Sequence, residues 1–318
     1  MRRAGEEICG NALIDMKQVY TIEDLVSRQS LDAGAAKPAR LAVLGWPIAH
    51  SASPQMHQAA LDGHGIDVRY IRLAVEPGEI PLAFSRMRDL GFIGCNVTVP
   101  HKLDALANCT DVHPDALALG AVNTVRFETE LTSGFNTDGP GFERAIKNDF
   151  GVSLAGLKVA IAGAGGGAGL ALATQCVLAG VSKLVLANRT VGKLVPLAER
   201  LQSLNPALEI VIMALDDATL AKHFLDCDLI VNTSSVGLKA GDPSILPAAC
   251  LKREHLVYDT IYQPPITPLL TLANECGCRT SNGLSMLLHQ GALAFQHWFP
   301  QSEPLAMMRG CFSGISIR

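Results

Sequence analysis

Leu157-Lys158-Val159-Ala160-Ile161-Ala162-Gly163-Ala164-Gly165-Gly166-Gly167-Ala168 is the stretch on which the reading of this chain turns. Its first half is an apolar run that reads as a buried strand, and the glycine-rich turn opens a helical pattern that runs through Ala179. That order fits G-x-G-x-x-A, in which one glycine makes the turn, a second admits a pyrophosphate, and a small third residue lets the helix approach the strand. Exposed N–H groups at the helix start, aligned with its dipole, would hold a phosphate. The same glycines also fit a tight turn with no ligand. The strand expected at Lys183 to Ala187 completes a strand-helix-strand unit and tips the reading toward a dinucleotide.

The tip of that second strand decides which dinucleotide. An NAD site places a carboxylate there for the ribose hydroxyls, whereas this chain has Asn188-Arg189-Thr190, with Lys193 just beyond. A carboxylate would repel a 2′-phosphate, and a guanidinium can pair with it bidentately, so the pattern points to NADP. A solvated surface arginine is the competing reading.

Further strands are expected at Glu209 to Met213, Asp228 to Asn232 and Leu256 to Asp259, giving an α/β unit of Rossmann-like type. Upstream, Arg40 to Gly45, Val68 to Ala74 and Phe92 to Val97 read as strands, alternating with helical patterns at Pro54 to Asp62, Glu79 to Leu90 and Leu103 to Asn108. Such alternation implies right-handed crossovers and a mainly parallel sheet, with ligands at the carboxyl ends of its strands. A linking helix is expected from about Pro140 to Phe150. The long apolar helix from Ser285 to Trp298 is expected to cross back to the first unit. The chain is therefore read as a substrate domain over 39–138 plus 285–318, a cofactor domain over 139–284, and an N-terminal extension over 1–38. In the extension, Thr21 caps a short helix placing Ile22, Leu25 and Val26 on one face, docked loosely if at all.

Composition agrees with two ordinary globular domains. The 318 residues are 48% hydrophobic and 18% charged, and 26 Lys plus Arg against 30 Asp plus Glu leave a net charge of −4. No general cationic field is available for nucleic acid or an anionic membrane, so an anionic ligand must be met locally. Nine cysteines, an odd number without a Cys-x-x-Cys pair, read as reduced thiols in a cytoplasmic protein, and no metal signature is present. Glu6 and Glu7 stand where a signal peptide needs an apolar core, and no run reaches the roughly 18 apolar residues of a membrane span. The expected partners are small molecules, with the chain acting as a monomer or homodimer.

Three further segments carry candidate chemistry. Gly45 to Pro54 follows the first strand, and its Ser51 and Ser53, two hydroxyls just before a helix, can face one anion such as a carboxylate; a plain N-cap by Ser53 fits equally. His50 and His57 read as ordinary hydrogen-bonded histidines. Gly94 to Lys102 and Gly134 to Gly139 place Lys102 and Asp138 where the strand ends of the first unit face the second. A lysine beside an aspartate in a cleft can exchange a proton with a substrate oxygen, while an exposed pair would do little.

Together these segments resemble the shikimate dehydrogenase family. The resemblance runs in order from about Ala39 to Phe299. It also takes in Gly120-Ala121-Val122-Asn123-Thr124, Asn232 to Gly237, Tyr258-Asp259-Thr260-Ile261-Tyr262 and Asn282-Gly283-Leu284-Ser285-Met286-Leu287 through Gln290. It implies NADPH-linked, reversible reduction of 3-dehydroshikimate to shikimate on the way to chorismate and aromatic amino acids. It also implies that Ser51 and Ser53 bind the substrate carboxylate, and that Thr98, Lys102, Asn123, Asp138 and Gln290 bind the ring hydroxyls, with Tyr262 nearby. Lys102 would be the acid/base group and Asp138 its partner. Gly163, Ala164, Gly165, Gly166, Gly167, Asn188, Arg189, Thr190, Lys193, Thr260 and Gly283 would line the cofactor, with Met286 near the nicotinamide. The rival readings are a quinate/shikimate dehydrogenase using NAD and a non-catalytic NADP-binding regulatory protein; the latter would be expected to lose Lys102 or Asp138.

Overall fold

The computed structural model describes residues 17–312. Seven strands form the first sheet: β1 (Tyr20–Thr21), β2 (Ala39–Gly45), β3 (Arg69–Ala74), β4 (Gly94–Val97), β5 (Asp111–Val112), β6 (Thr124–Phe127) and β7 (Thr132–Phe135). Their spatial order is β1-β3-β2-β4-β6-β7-β5. The pairings are parallel except β4 with β6 and β6 with β7, so a hairpin absent from the sequence reading closes one side of a mainly parallel sheet. Alternation along β2 explains its burial on both faces. Ala42 and Leu44 enter one apolar cluster and Leu41 and Val43 another.

The second sheet contains β8 (Lys158–Ala162), β9 (Lys183–Asn188), β10 (Glu209–Ala214), β11 (Leu229–Asn232), β12 (Leu256–Asp259) and β13 (Arg279–Asn282). The order β10-β9-β8-β11-β12-β13, parallel throughout, is the doubly wound arrangement, with its direction reversing between β8 and β11. Val159 and Ile161 pack to one side of β8, and Ala160 and Ala162 to the other.

Two helices join the sheets. The linking helix, Asp138–Phe150, buries Phe142, Ala145, Ile146 and Phe150 in the second sheet's core. The return helix, Leu284–Trp298, buries Leu284, Leu288, Ala292 and Phe295 with Leu41 and Val43 of β2, and Trp298 Nε1 donates to the Val125 carbonyl at 2.9 Å. A Cβ at Gly141 would lie 2.7 Å from Gln290 Cβ, which is why the two helices can cross so closely. Among the described residues no helix is long and apolar enough to cross a membrane.

The expectation of a loosely docked extension fails from Lys17 onward. β1 adds an edge strand to β3, and Tyr20, Ile22, Leu25 and Leu31 are buried in the first core. Arg69 reaches back to the Tyr20 hydroxyl at 3.0 Å and to Asp32 at 2.9 Å. Thr21 does precede a single 3₁₀ turn, Ile22–Asp24, with its N–H bonded to Asp24 at 2.7 Å, but Val26 turns outward and is 71% exposed. Residues 1–16 lie outside the described residues.

Candidate active site

The carboxyl ends of β2 and β4 face those of β8 and β12 across a cavity of about 430 Å³. Ser51, Ser53, Thr98, Lys102, Asn123, Asp138, Tyr262 and Gln290 all line it, as do Thr260, Gly283 and Met286 from the second sheet's side. Ser51 and Ser53 arrive from the loop after β2, and Ser53 opens the helix Ser53–Gly63. Lys102 and Asp138 each occupy the first turn of a helix, Lys102–Asn108 and the linking helix. Their side chains meet with Nζ 2.6 Å from Oδ2 and stay partly exposed, at 26% and 14%. Such a pair is dry enough to be oriented and open enough to meet a ligand.

Buried hydrogen bonds fix the floor. Asn96, at the centre of β4, accepts from the Tyr70 hydroxyl at 2.7 Å and donates to the Asn123 carbonyl at 3.2 Å and to Thr124 Oγ1 at 3.1 Å. The Asn123 carboxamide oxygen accepts from the Thr137 N–H at 2.8 Å and from Thr124 Oγ1 at 3.0 Å, while its Nδ2 donates to Thr137 Oγ1 at 3.0 Å. One N–H of Asn123 remains for a ligand. Asn136 takes the Asp138 N–H at 3.0 Å and donates to the Ala121 carbonyl at 2.9 Å, which sets the carboxylate's entry into its helix. Burial pushes the Tyr262 phenol above its ordinary range, so it presents an O–H to the cavity.

Apart from Ala168, the glycine loop sits beside this cavity rather than in it. Gly163 has φ +80°, and a Cβ there would strike Ser234 at 2.6 Å; at Gly165 it would meet Asn188 Nδ2 at 2.6 Å. The third role in G-x-G-x-x-A is held by Gly169, not Ala168. A Cβ at Gly169 would lie 2.5 Å from the Ala164 backbone, whereas Ala168 lines the cavity. Around Gly166 and Gly167, at the start of the helix Gly167–Leu178, a Cβ would meet no protein atom closer than 4.0 Å, which leaves room for a group held by backbone N–H donors. Asn188, Arg189, Thr190 and Lys193 follow at the end of β9, with Arg189, Thr190 and Lys193 exposed.

Two polar lining residues have no role in the sequence reading: His50 lines the cavity, and so does Asn96. The signal for Asn96 was present as a polar residue at the centre of an otherwise apolar strand. His57 is fully buried, but it makes no hydrogen bond: its ring stacks on Tyr70 with centroids 4.5 Å apart, and neither ring nitrogen has a partner among the described residues.

Comparison with known proteins agrees with this geometry. A family profile described as the shikimate dehydrogenase substrate binding domain matches residues 43–125. The "Shikimate dehydrogenase (NADP(+))" of Geobacter metallireducens is 38% identical over 269 residues, 85% of this chain and 94% of the relative. That of Moorella thermoacetica is 40% identical over 84% of this chain and 90% of its own. The crystal structure of shikimate 5-dehydrogenase from Thermus thermophilus, solved with NADP(H) and shikimate, superposes with a TM-score of 0.73 at 37% identity, covering 86% of this chain and 98% of that one. With both sheets, the motif order and nearly the whole length of these relatives matched, the chain belongs to the shikimate dehydrogenase family.

Proposed function

We propose that this chain is an NADP-dependent shikimate dehydrogenase, which interconverts 3-dehydroshikimate and shikimate in the route to chorismate and the aromatic amino acids. The observation that carries this reading is the Lys102–Asp138 pair, 2.6 Å apart, across a cavity whose opposite wall is Thr260, Gly283 and Met286. The residues fit the cofactor. Gly166 and Gly167 leave space at a helix N-terminus, and exposed Arg189 and Lys193 stand where an NAD site would carry a carboxylate. Bound NADPH supplies the hydride that the ketone carbon accepts.

As that carbon is reduced, negative charge builds on the oxygen, and Lys102 both stabilises it and delivers the proton that completes the hydroxyl. Asp138 holds the ammonium in place. In the reverse direction Lys102 accepts the hydroxyl proton. Ser51 and Ser53 hold the substrate carboxylate, and Thr98, Asn123 and Gln290 bind ring hydroxyls, so a ring lacking one of them leaves a buried partner unpaired. The division of 39–138 plus 285–318 against 139–284 is supported by the return helix packing on β2, with the segment from Lys17 joining the first domain through β1, and the chain acts in the cytoplasm as a monomer or homodimer. Substrate and cofactor panels followed by NADPH absorbance test the reading. Turnover of 3-dehydroshikimate with NADPH is expected; quinate with NAD outperforming shikimate with NADP, or no turnover at all, overturns it.

A further inference from the structure

Arg72 lies in β3, outside the motif segments quoted from the sequence. Its guanidinium reaches the back of the serine loop: Nε and Nη2 both donate to the Ser51 carbonyl, at 3.1 and 2.8 Å, and Nη2 also meets Gln55 Oε1 at 3.3 Å. The Ser51 N–H donates to the Ile48 carbonyl at 3.1 Å, and Ser51 Oγ accepts from the Ser53 N–H at 3.3 Å. The turn carrying both serines is thus pinned at its front by its own backbone and at its back by one arginine. Neighbouring Arg69 is neutralised by Asp32, but no carboxylate among the described residues pairs with Arg72. Its other side lines a second, outer cavity of about 550 Å³ with Gln55 and Gln58, so the guanidinium is only half-buried and has no counter-ion among the described residues.

We propose that Arg72 is a positioning residue for recognition of the substrate's acid group: it fixes the Ser51–Ser53 turn and sets an uncancelled positive charge directly behind it. Two serines are neutral donors, and alone they favour a carboxylate over a neutral ester or amide only weakly. A cation fixed to the carbonyl of the first serine adds the missing preference for a full negative charge. The role rests on the reading of Ser51 and Ser53 as the carboxylate holders.

The test is steady-state oxidation of shikimate and of its methyl ester, with NADP+, by the full chain and by Arg72→Met, Arg72→Lys and Arg72→Gln. Arg72→Met is expected to raise KM for shikimate about tenfold while kcat and KM for NADP+ stay within about twofold. KM for the methyl ester rises by less than about threefold, from loss of the turn's anchor alone, and Arg72→Lys recovers most of the loss for shikimate by returning a cation. Arg72→Gln, which keeps a donor without charge, is read in place of Arg72→Met if melting curves show that the latter does not fold. Unchanged KM for shikimate, an equal rise for the ester, or a parallel fall in kcat overturns the proposal. A wild-type chain that does not oxidise shikimate at all instead overturns the enzyme assignment, which separates the two failures.

Discussion

Replacing Lys102 by Met keeps the length and apolar stem of the side chain and removes both the charge and the proton. The ammonium is 2.6 Å from Asp138 in a partly exposed position, so its contribution comes from orientation and proton supply rather than from deep burial. A positioned general acid is worth about 10² to 10⁴ in rate. Because the oxyanion charge that Lys102 meets exists only in the transition state, the loss should fall on kcat, by about 10³-fold or roughly 4 kcal/mol. KM for shikimate should move by less than about threefold, since the serines, Asn123 and Gln290 remain. Asp138→Asn, which leaves the acid present but less well held, should lower kcat by about 10- to 100-fold. The double variant should be no slower than Lys102→Met alone, because a partner cannot orient an absent group. Initial rates by NADPH absorbance, with shikimate binding by calorimetry, read all three. Retention of kcat within about tenfold by Lys102→Met, or a double variant slowed by the product of the single effects, would refute the assigned roles.

If the Arg189 guanidinium pairs with the 2′-phosphate as proposed, Arg189→Ala should raise KM for NADP+ about tenfold and leave KM for NAD+ nearly unchanged; kinetics with both cofactors read it. Gly169→Ala should lower the melting temperature through overpacking worth about 1–3 kcal/mol, since its Cβ would meet rigid backbone at 2.5 Å. Gly167→Ala, with nothing within 4 Å, should melt normally and lose several-fold in NADP+ affinity. Stability should also fall as pH drops below about 6.5: burial holds the His57 imidazole neutral in the folded chain, pushing its pKa down to about 3, while in the unfolded chain it protonates near 6.5. The folded state then binds fewer protons, so His57 alone accounts for a loss of about 1.4 kcal/mol at pH 5.5, continuing down to about pH 3. His297, pushed down to about 4 by burial, adds in the same direction. Urea melts between pH 5.5 and 7.5 measure the slope, and His57→Phe should flatten it.

Strands buried on both faces were legible because apolar runs such as Val159 to Ala162 satisfy two cores at once. The β6–β7 hairpin and β13 were not: Val125 and Phe127 of β6 are buried, but most of the buried positions around them are polar. Thr124, Thr132 and Ser133 are buried through hydrogen bonds to Asn96, Thr110 and Asp111. Ser281 in β13 is held at 2.6 Å by Asp149, more than a hundred residues away. A hydrophobic pattern cannot see a strand paid for by side-chain hydrogen bonds with distant partners. The docked extension failed for a related reason: Tyr20, Ile22, Leu25 and Leu31 follow no single period, and the contacts that hold them, among them Arg69 on β3 and Arg86, lie in distant elements.

The site was more legible than its supports. Strand-end position put Lys102 and Asp138 on one face and the family resemblance paired them, but nothing local shows that Asn96 and Tyr70 stand behind Asn123 or Arg72 behind Ser51, because each acts through a contact whose partner lies in another element. The two helices that join the sheets follow the same logic. The linking helix carries Asp138 in its first turn, the return helix carries Met286 and Gln290, and the two cross where Gly141 leaves no side chain between them. The covalent joints between the domains are therefore also walls of the cavity.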